Sequence, residues 1–160
     1  HLAALMQNKG KIISMDVEEW KLEELKKRAR RNGVNSIETR IIEPKTIKRL
    51  EASADRVLID APCTGMGVLR RNPDAKWKLN LSTLDKVKKI QADVLSQYSV
   101  MVKPEGKLIY ATCSILPSEN GEQVKKFLSE HPEFEIEEEK SILPSSGADG
   151  FYMCRMKRLK

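Results

Sequence analysis

Cys63, in Asp60-Ala61-Pro62-Cys63, and Cys113, in Thr112-Cys113-Ser114, each close an apolar run that reads as a β-strand, Arg56–Asp60 and Lys107–Thr112. In open parallel sheets ligands gather outside the carboxyl ends of the strands. A cysteine held there can act as a nucleophile through its thiolate. Two thiols at two strand ends suggest one site, and Asp60, three residues before Cys63, adds a carboxylate to it.

Elements able to carry such a site alternate along the chain as strand and helix, the pattern of a mostly parallel sheet covered on both faces. Lys11–Asp16 reads as a short strand and Glu18–Asn32 as a helix ended by Gly33. Ser36–Ile42 is the next strand, Thr46–Glu51 a short helix and Ala54–Asp60 a third strand. From Cys63 to Leu81 the chain is too long and irregular for a routine connection, which points to a functional loop. Ser82-Thr83-Leu84-Asp85 resembles a capping box, and the helix it opens repeats apolar residues at Leu84, Val87, Ile90, Val94, Leu95, Tyr98 and Val102. Lys103-Pro104-Glu105-Gly106 is expected to end it, before a strand from Gly106 to Thr112. A helix from Ser118, as cap, to Glu130, and strands at Phe134–Glu138 and Phe151–Met156 complete the reading; the last two are expected to pair antiparallel at a sheet edge.

The 160 residues suit a single domain, and 40% apolar with 32% charged content is ordinary for a soluble globular chain. Its 29 basic and 23 acidic side chains leave a net charge of +6, mild support for a polyanionic partner. Three cysteines at unrelated spacings form neither a disulfide framework nor a zinc pattern and suit a reducing compartment; with no apolar run long enough to span a bilayer, the expected location is cytoplasmic and away from membranes.

Motifs in order along almost the whole chain resemble one family. They are Asp60-Ala61-Pro62-Cys63-Thr64-Gly65-Met66-Gly67, Arg70-Arg71-Asn72-Pro73-Asp74, Lys76-Trp77, Gln91, Lys103-Pro104-Glu105-Gly106, Tyr110-Ala111-Thr112-Cys113-Ser114, Glu119-Asn120 and Asp149-Gly150-Phe151-Tyr152. This set is similar to the RNA cytosine-5 methyltransferases of the Sun/Fmu (RsmB-like) and Nol/Nop type. The resemblance implies an α/β, Rossmann-like sheet ordered 3-2-1-4-5-7-6, with an antiparallel last strand at the edge, and S-adenosylmethionine as cofactor. It implies Asp16 at the ribose hydroxyls, Glu43 on the adenine side, and Asp60 and Pro62 beside the cofactor. Cys113 becomes the nucleophile and Cys63 the helper in product release. RNA is the implied partner, ribosomal RNA first and transfer RNA as the alternative.

The chemistry explains these residue types. Carbon 5 of cytosine is a poor nucleophile until a thiolate adds to carbon 6. An acid such as Asp60 at ring nitrogen 3 and the exocyclic amine favours the charge that develops. The base must leave its stack, and Arg70, Arg71, Lys76 and Lys78, with Trp77, offer cations for phosphates and an aromatic face for a base.

Against that family the chain begins inside a helix, without the first strand and the Gly-rich cofactor loop. It therefore reads as a fragment of a catalytic domain whose N-terminal part is a missing partner. Three consequences are open: that part is supplied elsewhere, the second and fourth strands pair directly, or the piece has reduced stability. Two other functions remain in view, a non-catalytic RNA-binding or assembly fragment and a DNA cytosine-5 methyltransferase with Cys63 as nucleophile.

Plainer readings stand beside these. Cys154 has no motif around it and reads as a core residue. Asp16 competes as a cap of the following helix and Asp60 as an organiser of the Pro62-Cys63 turn. The basic run at Lys26–Arg31 is interleaved with acids and reads as a solvated helix face, His1 and His131 receive no role, and Trp77 is equally a core anchor or a stacking platform.

Overall fold

A computed structural model describes residues 1–160, the side chain of Lys78 excepted. The chain divides into two compact units, 1–49 and 50–160.

The first unit holds α1 (Leu2–Leu5), β1 (Ile12–Asp16), α2 (Glu19–Arg31), β2 (Ile37–Ile41) and α3 (Pro44–Arg49). β1 and β2 pair in parallel, from Ile12 opposite Ile37 to Asp16 opposite Ile41. The crossover is α2, which turns Leu22 into the core and its charges outward. Gly33 ends it in the left-handed conformation at φ +64°, where a residue without Cβ carries no steric cost. The helical acids pair with bases three residues on, Glu23 with Lys26 and Glu24 with Lys27, on an exposed face. α3 starts two residues before the expected Thr46, because Pro44 suits a first helical turn and the Glu43 carbonyl accepts from Thr46 and Ile47.

The second unit holds β3 (Ala54–Asp60), α4 (Ala75–Lys78), α5 (Leu81–Ser99), β4 (Val102–Thr112), α6 (Gly121–Glu130), β5 (Phe134–Ile142) and β6 (Phe151–Arg158). Its sheet runs β3-β4-β6-β5. β3 and β4 are parallel, while β6 is antiparallel to both its neighbours. β2-β1 and β3-β4-β6-β5 correspond to the 3-2 and 4-5-7-6 parts of the order implied by the resemblance. β1 and β3 lie in separate sheets, so direct pairing of these two strands does not occur.

Several boundaries differ from the expectation for identifiable reasons. The last strand is antiparallel but lies one place in from the edge. Its Tyr152, Cys154 and Met156 are buried, whereas β5, largely exposed and acidic, takes the edge. Asn80, rather than the Ser82 box, caps α5, because its Oδ1 accepts from the Thr83 N–H at 2.8 Å and from the hydroxyls of Ser82 and Thr83. The stripe that α5 buries is Gln91, Leu95 and Ser99, and Ile90 faces out. Lys103–Gly106 does not end the helix; it is the irregular opening of β4, where the register jumps and Glu105 takes φ +63°. Pro117–Glu119 forms a 3-10 turn, so α6 starts at Gly121 and Ser118 is not its cap. Among the described residues, no helix is long and apolar enough to cross a membrane.

Candidate active site

Parallel pairing of β3 and β4 places Ile59 opposite Tyr110 and Asp60 opposite Ala111, and the Ala61 N–H continues the ladder to the Ala111 carbonyl at 2.9 Å. Cys63 and Cys113 each follow two residues beyond Ala61 and Ala111. Adjacent strands leaving the sheet at one level thus bring the two thiols together, with Sγ 3.2 Å from Sγ. Both cysteines are half-buried. Burial, the larger cause, and the contact with Cys113 push the Cys63 thiol above its ordinary value, which keeps it protonated and able to donate to Cys113.

A buried polar cluster lies behind the pair. Glu119, fully buried, accepts at Oε1 from the Thr64 N–H at 2.8 Å and from Gln91 Nε2 at 3.0 Å. Its Oε2 accepts from Thr64 Oγ1 at 2.5 Å and from the Ser114 hydroxyl. Gln91 Nε2 also donates to the Pro62 carbonyl at 2.8 Å. With two acceptors facing Nε2, the Gln91 amide is fixed in orientation, and its buried Oε1 has no partner among the described residues. Asn120 bridges the strand end, accepting from Thr112 Oγ1 at 2.6 Å and donating to the Ser114 carbonyl at 2.9 Å. Tyr110 donates to the Glu119 carbonyl at 2.8 Å.

Two glycines let the neighbouring loops close over Cys113. The Gly67 N–H donates to the Cys113 carbonyl at 2.9 Å, and the Gly150 N–H to the Gly67 carbonyl at 2.8 Å. A Cβ on Gly67 would fall 2.1 Å from the Gly150 oxygen and 2.7 Å from the Cys113 oxygen. Only a residue without a side chain permits this approach.

Of the other candidate residues, Asp60 stands exposed at the end of β3, its side chain without a hydrogen bond or ion pair among the described residues, so that side chain does not organise the Pro62-Cys63 turn. Arg70 is exposed and reaches the Gly147 carbonyl at 3.4 Å. Arg71 pairs with Asp149 at 2.5 Å, which ties the long loop to the turn before β6. Trp77 is 80% exposed, with Lys76 Nζ 4.7 Å from its ring centre, which removes the core-anchor reading. The Lys78 side chain lies outside the described residues. In the first unit, Asp16 Oδ1 accepts from the Glu18 N–H at 2.9 Å and from Lys21 at 3.2 Å, while Oδ2 meets Lys21 at 3.3 Å. Glu43 pairs with the exposed Lys45 at 2.9 Å. Cys154 is buried in β6, and burial pushes its thiol up to about 11, as a core cysteine requires.

Glu119 and Gln91 stand in the motif set without an expected role. The readable signal is Gln91 itself, a polar residue on the core-facing stripe of α5, one helical repeat before Leu95.

Residues 1–157 match the family described as 16S rRNA methyltransferase RsmB/F. The chain is 34% identical over 178 residues to the probable ribosomal RNA small subunit methyltransferase B of Bacillus subtilis, covering 99% of this chain and 40% of that protein. It superposes on the crystal structure of PH0851 with TM-score 0.93 at 32% identity, over 99% of this chain and 39% of that one. NSun6 from Pyrococcus horikoshii, solved with SFG, shares the fold at TM-score 0.88 and 24% identity, over 100% of this chain and 44% of that one. The chain thus spans about 40% of the length of the curated relative. It belongs to the 16S rRNA methyltransferase RsmB/F family.

Proposed function

We propose that the protein carrying this chain methylates carbon 5 of cytosine in small-subunit ribosomal RNA, using S-adenosylmethionine, through a bond between Cys113 Sγ and carbon 6 of the base. The single observation that carries the reading is the thiol pair, 3.2 Å apart at the ends of adjacent parallel strands.

Addition of the Cys113 thiolate to carbon 6 moves the pair of the C5–C6 double bond toward carbon 5 and the ring. Asp60, exposed and unpartnered at the strand end, is the acid assigned to ring nitrogen 3 and the exocyclic amine. The cofactor supplies an electrophilic methyl group to carbon 5. A base then removes the carbon 5 proton, the C5–C6 double bond re-forms, and Cys113 leaves as thiolate. Cys63, held as a neutral thiol, donates a hydrogen bond to the departing sulfur. This gives it a role in release.

Asp16 has the chemistry to meet the hydroxyls of the cofactor. An ionised carboxylate offers about four acceptor positions, and Asp16 spends part of this capacity on its own helix start and Lys21, leaving room for hydroxyl donors. Glu18, not Asp16, is the N-cap of α2, and among the described residues the Asp16 carboxylate accepts only from the Glu18 N–H and Lys21. Asp16 and Glu43 are proposed as cofactor residues of the first unit. Asp60 and Pro62, whose carbonyl keeps a lone pair beyond its bond to Gln91, are proposed for the second. Arg70, Arg71, Lys76 and Trp77 are proposed to contact the RNA, with Arg71 sharing its charge with Asp149.

The test is methyl transfer from labelled S-adenosylmethionine to a small-subunit ribosomal RNA transcript by the full-length gene product, followed by nucleoside analysis. Label in 5-methylcytosine that is lost with Cys113→Ala supports the reading. Label in another nucleoside, or none in this RNA, overturns it.

A further inference from the structure

We propose that Glu119 is the positioning residue of the reacting thiols: its buried carboxylate locks the loop after β3 to the loop after β4 and so sets the distance between Cys63 and Cys113. The inference rests on the reading above for its catalytic consequence, but its geometric content stands apart from it.

Glu119 is fully buried and, among the described residues, has no ion-pair partner. Such a carboxylate is retained only where hydrogen bonds replace its water. Here the four donors named above fill its acceptor positions, and their origin is the telling feature. Thr64 directly follows Cys63, and Ser114 directly follows Cys113. Their hydroxyls converge on the same oxygen, Oε2. The opposite oxygen takes the Thr64 N–H and Gln91, and Gln91 in turn holds the Pro62 carbonyl on the other side of Cys63. Each cysteine is thus gripped through its flanking residues, while neither sulfur touches the carboxylate by a recorded hydrogen bond.

Glu119 is itself held. Its carbonyl accepts from Tyr110, and Asn120 binds both Thr112 and Ser114, the neighbours of Cys113. The cluster therefore acts as a spacer between two strand ends. A satisfied buried network of this kind favours one geometry over its alternatives. For the reaction proposed above, that geometry brings the Cys63 S–H within reach of the sulfur that adds and leaves.

Two substitutions separate shape from charge. Glu119→Asp keeps the charge and withdraws the carboxylate by one methylene. Glu119→Gln removes the charge and keeps the shape: its amide oxygen can accept from the Thr64 N–H and Gln91, and its NH₂ can donate to the Thr64 and Ser114 hydroxyls, which rotate to accept.

The experiment uses the full-length gene product with two readouts. One is the rate at which diamide forms the Cys63–Cys113 disulfide, mapped by peptide mass; two thiols lose two electrons and two protons, and diamide becomes the hydrazine. The other is kcat and KM for methylation of the ribosomal RNA transcript. Glu119→Asp is expected to slow disulfide formation about tenfold and lower kcat up to about 100-fold, with KM changed less than about threefold. Glu119→Gln is expected to restore both rates to within about fivefold of the parent. Unchanged disulfide and turnover rates in Glu119→Asp overturn the proposal. So does Glu119→Gln losing turnover as fully as Glu119→Asp while keeping the parent disulfide rate, because charge and not spacing would then matter. Should Glu119→Asp not fold, Thr64→Val and Ser114→Ala each delete one hydroxyl from the clamp. Slower disulfide formation in both supports the proposal, and parent rates in both overturn it. A parent protein that forms the disulfide but methylates no RNA defeats the functional reading alone, and the disulfide rates still decide the role of Glu119.

Discussion

Cys63 and Cys113 lie 3.2 Å apart, and burial, with the contact to Cys113, raises the Cys63 thiol above its ordinary value. A thiol whose value is higher in the folded protein than in the unfolded chain is favoured by folding in its protonated form. Its contribution is complete below the ordinary cysteine value and is lost as pH rises toward the folded one. Cys154 shifts in the same direction, from 9.0 to about 11. The melting temperature should therefore fall between about pH 9 and pH 11, and Cys154→Ala should flatten part of that fall. Melting curves across this range check the prediction; a constant or rising melting temperature contradicts it. At this scale the sequence was informative where chemistry depends on residue type next to a strand end, as for Asp60, Cys63 and Cys113. It was silent on Glu119, whose partners Thr64, Gln91 and Ser114 come from three separate stretches of chain.

The elements show why the thiols meet. Parallel pairing in register carries Ala61 to Ala111, and the two cysteines follow at equal distance. Over this end, Gly67 lies between the Cys113 and Gly150 backbones. Gly67→Ala would place Cβ 2.1 Å from the Gly150 oxygen, closer than any real contact. Relief requires the loop to lift from Cys113. The variant should lose about 1–3 kcal/mol of stability and most of its methylation rate, measured by denaturant unfolding and by turnover. Parent values for both would show that the close approach is not needed. β1, α2, β2 and β3 were legible to within about one residue because their periodicity is strong, whereas β4 begins four residues before, and β5 ends four residues after, the expected bounds. Asn80 outcompeted the Ser82 box by supplying an acceptor for three donors, and the opening of β4 hid behind a Pro-Glu-Gly turn signal that the strand absorbs as an irregularity.

For the whole molecule, strand order 2-1 in the first unit and 3-4-6-5 in the second follow the parts of the methyltransferase order expected from the sequence. The α/β alternation and the order implied by the resemblance made this legible, the interior place of the last strand included, whereas the segment Phe151–Met156 read by itself does not reveal whether it pairs on one side or two. Arg70 and Lys76 are exposed cations of the long loop, Lys76 over the exposed Trp77 ring. Arg71 is the less clean probe, because its reversal also breaks the pair with Asp149. Arg70→Glu with Lys76→Glu should weaken RNA binding and reduce the slope of log affinity against log salt by at least about 1.4, two lost phosphate contacts on single-stranded RNA. An unchanged slope would remove this loop from the RNA interface.

The most direct test of the central claim uses RNA carrying 5-fluorocytosine, in which the fluorine at carbon 5 cannot leave as a proton does and the cysteine bond to carbon 6 persists. With S-adenosylmethionine, the full-length protein and its Cys63→Ala variant are predicted to form a covalent complex whose RNA-bearing peptide contains Cys113, and Cys113→Ala none. A complex that survives Cys113→Ala and disappears in Cys63→Ala would contradict the assignment of the two thiols.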